Sequence, residues 1–195
     1  MPNKRLYRLI VILSIFFCLG ITGAHAFDDG FSQAKKMESK HFTIYYKPQV
    51  DLWRLAQELN VSPSDELLAG KATKEGASSE AGLVDMLDTL FTKVCDILDM
   101  RLYSFKGTIK ICEDSRQLNS IYHQVFNKAP TQETRSFYAY AVNTIYTSVD
   151  NFKLVIVGHE IGHAIISHYF VVQPSVKIQE LLAAYVEFQL RKTAK

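Results

Sequence analysis

The run at residues 154–166, LVIVGHEIGHAII, constrains this chain more than any other stretch, because it sets three ionisable side chains inside an apolar segment. Leu154, Val155, Ile156, Val157, Ile161, Ala164, Ile165 and Ile166 surround His159, Glu160 and His163, so as a helix the run is apolar nearly all round and must be buried. Burying three ionisable groups without partners costs several kcal/mol. Any fold that holds this helix must therefore supply what satisfies them. Core histidines bonded to protein groups are one solution, and a metal ion with its water is the one this setting favours.

The spacing says which metal and in what role. The spacing of four from His159 to His163 puts both imidazoles on one helical face, about 6 Å apart in rise, so that their nitrogens can converge on a single cation. Zinc suits two neutral imidazoles. Glu160 is displaced about 100° around the helix, near enough to reach a water at the metal without ligating it, which makes it the candidate general base. Gly162 costs about 1 kcal/mol relative to Ala inside a helix and makes sense if something approaches the helix closely there.

A catalytic zinc site takes a third protein ligand. His168, five residues past His163, lies about 500° around the helix and is off the ligand face. The glutamates of the next helix, expected over 176–191 with Ser175 as N-cap, are separated by helical rise. From His163 to the end of its helix near Tyr169 is about 9 Å, and from Ser175 back to Glu180 about 7.5 Å, so a returning helix brings Glu180 level with His163. Ala183 and Ala184 would let the two helices approach. Glu187 falls roughly 10 Å further along, beyond His159, and is the less favoured candidate for the third ligand, read otherwise as an acceptor supporting the ligands or as a solvated charge.

The rest of the chain supplies the scaffold. With 195 residues, 48% hydrophobic, 22% charged and three cysteines, it has the composition of an ordinary globular domain. Residues 1–26 read as an export signal: Lys4, Arg5 and Arg8, then an apolar stretch over 9–21, then Ala24-His25-Ala26. Thirteen apolar residues span about 20 Å as a helix, short of a bilayer core, so cleavage after Ala26 is expected rather than a retained anchor. The domain is then 27–195, exported to periplasm or exterior, with no stable membrane span.

Removing that segment takes away three basic residues and no acidic ones, which leaves 19 Lys+Arg against 20 Asp+Glu. No basic stripe with interleaved aromatics survives, so nucleic acid is not an expected partner. Cys95 and Cys112 could pair in an oxidising compartment or stay as two buried thiols. Strands are expected over 41–46, 107–112, 136–142 and 144–148, the last two as a hairpin about Asn143, and helices over 50–59, 83–100, 115–126 and 154–169. Residues 62–82, rich in Ser, Gly, Ala, Lys and Glu, read as a surface insertion rather than a lid. The pattern is α+β, with helices packed on one face of a small, mostly antiparallel or mixed sheet.

The sequence IVGHEIGHAI at 156–165, followed by QELLA at 179–183, resembles the gluzincin branch of zinc metallopeptidases, in particular its small peptidase MA-like domains. The resemblance covers the last two helices and extends to the strand pair before them. It implies a minimal zincin-like fold, Zn2+ held by His159, His163 and Glu180, Glu160 as general base, and hydrolysis of a peptide or protein substrate laid along 136–142. On that strand Tyr138 and Tyr140 are read as packing residues rather than a cleft lining. Ala184 stands where some members carry a further acidic residue, and no oxyanion donor is assigned. The alternative function is an inactive zinc-containing binding or assembly module. The oligomeric state is left open.

Overall fold

A computed structural model describes residues 28–59, 79–128 and 134–193. The proposed export signal and the 62–78 part of the surface insertion lie outside the described residues. Among the described residues there are five strands and five helices, in the order β1 Lys35–Glu38, β2 Phe42–Tyr46, α1 Leu52–Glu58, α2 Ser79–Leu98, β3 Gly107–Cys112, α3 Ser115–Phe126, β4 Ser136–Ala139, β5 Thr144–Ser148, α4 Leu154–Tyr169 and α5 Val176–Thr193. The strands form one sheet in the order β1-β2-β3-β5-β4. Its outer pairs are antiparallel and its inner pairs parallel, so the sheet is mixed.

Local chemistry explains most of these boundaries. Asp51 and Asp114 cap α1 and α3, their carboxylates accepting the N–H groups of Arg54 and Gln117 at 3.0 and 2.9 Å. Asn127 ends α3 in the left-handed region, where Asn is tolerated better than most residues. β1 has no apolar alternation to announce it: only Met37 is buried, and its charged neighbours face outward, with Lys36 and Lys106 both paired to Glu38. Lysines on an outer strand discourage pairing with another chain, which is why such a strand does not read as one.

The expected hairpin about Asn143 is present, with Ser136 opposite Thr147 and Ala139 opposite Thr144. Its first strand is shorter than expected. The chain leaves the sheet after Ala139 through a 3-10 turn at Tyr140–Val142 and reverses at Asn143, whose φ is +45°. Asn143 holds the reversal in place, accepting from the Tyr138 hydroxyl at 3.1 Å and donating to the Lys106 carbonyl at 3.0 Å.

The helices do not share one face of the sheet, contrary to the expectation. The main core packs α1, α2, α4 and α5 against Phe42, Ile44, Ile109, Ile111 and Ile145. A second, smaller core sets Leu118 and Ile121 of α3 against Cys112, Phe137, Ala139 and Tyr146 on the other side. β5 lies between them and is buried at all five positions, as an inner strand covered on both faces must be. Cys95 belongs to the main core and Cys112 to the second, so the sheet separates them and both are free thiols. No helix among the described residues is long and apolar enough to cross a membrane.

Candidate metal centre

Burial of the α4 run proceeds as its sequence demands: Leu154, Val157, Ile161, Ala164, Ile165 and Ile166 all enter the core. Against it runs α5, whose buried face is Ala183, Val186 and Leu190. Of the two small residues expected to let the helices approach, Ala183 does so and Ala184 is exposed. The Ala183 Cα lies 3.7 Å from where a Cβ on Gly162 would stand. The tightest side-chain contact is one turn earlier, however: a Cβ on Gly158 would fall 2.3 Å from Leu190 Cδ1.

This packing brings the expected ligands together. The Nε2 atoms of His159 and His163 are 3.0 Å apart. Glu180 reaches between them from α5, with Oε1 3.5 Å from His163 Nε2 and Oε2 3.7 Å from His159 Nε2. Among the described residues these three side chains form the group able to hold a metal, one ligand atom from each lying within 4.8 Å of the others. Their separations also fit a particular size of ion. Two ligands at about 2.05 Å on a tetrahedral centre stand about 3.3 Å apart, and the Nε2–Nε2 distance of 3.0 Å and the His163 Nε2–Glu180 Oε1 distance of 3.5 Å lie either side of that value.

Electrostatics favour the same use. Burial, and next the neighbouring His159, push the His163 imidazolium down to about 4, so the ring is neutral and keeps a free lone pair at physiological pH. The carboxyl of Glu160 is only 7% exposed. Burial, then the charge of Glu180, raises it to about 8; Glu187 adds to this, while the Tyr138 backbone N–H and the Ser136 hydroxyl oppose it. A cation held beside it would draw the carboxyl back toward its ionised form.

Glu187 lies beyond His159, where helical rise places it. Its Oε1 is 2.8 Å from His159 Nδ1. The contact is out of line for a hydrogen bond, since Nδ1 has no aligned partner, and it acts as a close charge contact on the ring nitrogen facing away from Glu180. Arg191 holds the same carboxylate at 3.3 Å. His168 is off the ligand face as expected, its Nδ1 2.9 Å from the Ala164 carbonyl and its ring edge-on to Phe105.

Ser136 and the Tyr138 backbone, the β4 groups near Glu160, did not emerge from the sequence. They belong to β4, the outermost strand, and no local pattern marks a contact between elements more than twenty residues apart. Tyr138 is partly buried against the main core as expected, whereas Tyr140 is 60% exposed and, contrary to the expectation, does not pack into it, because the chain has left the sheet there. No protein-family model, curated protein or solved structure matches this chain.

Proposed function

We propose that this protein is an exported zinc metallopeptidase of the gluzincin kind, in which His159, His163 and Glu180 hold the metal and Glu160 is the general base. The observation that carries this reading is the convergence of two Nε2 atoms and a carboxylate from a second helix, with a buried glutamate next to one of the histidines. A purely structural zinc site closes its coordination with protein ligands and has no use for Glu160.

Zinc in this site supplies Lewis acidity, acidifying a water and polarising a peptide carbonyl. Glu160 takes the water's proton and returns it to the leaving amine, a role worth about 100-fold to 10,000-fold in rate. The Tyr138 N–H, which favours the ionised carboxyl, helps keep it oriented toward the site. His159 is steadied by Glu187 and His163 by its burial, so both rings meet the metal without a large loss of side-chain freedom. β4, with one side unpaired among the described residues, suits an extended peptide added as a strand.

The test is casein cleavage by the exported chain and by Glu160→Gln, with zinc content measured in both. The expected result is zinc in each and cleavage only by the wild type. Zinc in both with equal cleavage, or with none, removes the peptidase reading. Absence of cleavage leaves the alternative of a zinc-containing binding or assembly module. One observation favours that alternative: the Tyr138 hydroxyl is committed to Asn143 and offers no donor to a developing oxyanion.

A further inference from the structure

The buried Glu160 carboxyl faces a strand that is bonded along one side only. β4 pairs with β5 and ends the sheet, so among the described residues no second strand holds it. A strand bonded along one edge opens more readily than one bonded along both. Yet the Tyr138 N–H of this strand favours the ionised carboxyl of Glu160, and the direction of that N–H follows the rotation of β4 about its own axis.

Asn143 supplies the second tie. Its Oδ1 accepts from the Tyr138 hydroxyl at 3.1 Å, its Nδ2 donates to the Lys106 carbonyl at 3.0 Å, and its own carbonyl accepts the Thr108 N–H at 3.0 Å. Lys106 leads into β3 and Thr108 belongs to it, and β3 is two places from β4 in the sheet. The Asn143 side chain therefore staples β4 to β3 past the start of β5. A carbonyl can only accept, so Nδ2 faces Lys106 and Oδ1 is left for the hydroxyl. Gly107 keeps the space open: a Cβ there would lie 3.4 Å from Asn143 Oδ1 and 2.8 Å from Phe105 Cζ. The φ of +45° at residue 143 is one that Asn tolerates. Asp would take the same turn without donating to Lys106, and Gly would take it with neither bond. The Tyr138 ring packs against the main core, so with its hydroxyl held the side chain is fixed at both ends, and the N–H at its root with it.

We propose that Asn143 and Tyr138 are positioning residues for Glu160, Asn143 holding the Tyr138 hydroxyl so that β4 keeps the Tyr138 N–H directed at the carboxyl. That Glu160 is a general base rests on the peptidase reading; the staple itself does not.

Two variants of the exported chain test this: Tyr138→Phe, which removes the hydroxyl alone, and Asn143→Gly, which keeps the turn. Circular dichroism checks that each is folded. In zinc-free protein the Tyr138 amide should exchange about fivefold to tenfold faster in both than in the wild type, the factor that one weakened hydrogen bond gives, while the Thr147 amide keeps its rate. Glu160→Ala should speed the same Tyr138 amide, which identifies its acceptor. A Tyr138 amide that stays as slow as in the wild type in either folded variant, or in Glu160→Ala, overturns the proposal. On casein, kcat should fall by up to about 100-fold in both variants, with KM and zinc content unchanged. A change confined to KM, or a lower melting midpoint with kcat intact, also overturns it. If the wild type cleaves no casein, the peptidase reading fails and amide exchange alone decides the staple.

Discussion

The two glycines of α4 should respond oppositely to alanine, because α5 sets a leucine methyl against one of them and leaves ordinary contact distance at the other. At Gly158 a Cβ would stand 2.3 Å from Leu190 Cδ1 and 3.7 Å from Leu90 Cδ1. Leu190 and Leu90 are both fully buried, so neither has free space to move into. Alanine gains about 1 kcal/mol of helix propensity at either site. At 158 it also incurs an overpacking cost of about 1–3 kcal/mol, for a net loss of roughly 0–2 kcal/mol. At Gly162 the nearest atoms, Val186 Cγ2 and Ala183 Cα, would be 3.5 and 3.7 Å away, which is ordinary contact. Gly162→Ala should therefore gain up to about 1 kcal/mol.

The two variants should differ by about 1–3 kcal/mol, or roughly 2–12 °C in melting midpoint for a domain of this size. Urea titration of metal-free protein, with a common slope, measures the difference directly. Adding Leu190→Val to Gly158→Ala should recover part of the loss, because it removes the clashing methyl. The reasoning fails if Gly158→Ala is as stable as Gly162→Ala, or if Leu190→Val makes Gly158→Ala worse by its full single-variant cost. Either outcome would mean that the helices are not in contact at Leu190.

Other consequences can be measured separately. His163→Ala should abolish stoichiometric zinc, and Glu180→Ala should weaken it severely; retention of full zinc by Glu180→Ala in dialysis would reject it as third ligand. Glu187→Gln should lower zinc affinity by about 10–100-fold through His159 while leaving the fold intact, as read by competition with a chelating dye. His41 gives a pH effect away from the metal. It is buried, stacked on Phe91 at 4.1 Å, with Nδ1 lacking a partner. Burial lowers its pKa below the ordinary 6.5; Asp88 and the Phe105 backbone oppose this, and Lys40 and Lys106 reinforce it. Below about pH 6.5 the unfolded chain takes up this proton before the folded one, so stability falls as pH drops. His41→Phe keeps the stacking and should show a smaller decrease in melting midpoint between about pH 7.5 and 5.5 than the wild type.

The site was legible to the extent that it follows from helical geometry. His159, Glu160 and His163 lie within one turn or so of a single helix, where residue spacing is also spatial placement. Glu180 was reachable because an antiparallel partner helix after a short turn leaves one degree of freedom, the rise, and counting residues sets it. The position of Glu187 followed from the same count, but its contact with His159 Nδ1 depends on how α5 is rotated about its own axis. That rotation is decided by Ala183, Val186 and Leu190 packing onto α4, and similarly patterned helices can pack at several angles.

Contacts between distant elements were not legible. Ser136 and the Tyr138 backbone come near Glu160 only because β4 is the outer strand beside α4, and strand order is a property of the whole sheet. The separate locations of Cys95 and Cys112 and the placement of α3 on the second face have the same origin. Local spacing by itself determined that residues 154–169 form a buried helix presenting two imidazoles and a carboxylate, since backbone periodicity is short-range and buried charge is costly. Tertiary packing alone decided the depth of Glu160 burial, the tight Leu190 contact at Gly158 and the apolar residues that α5 leaves exposed, because each depends on which surfaces meet across the fold.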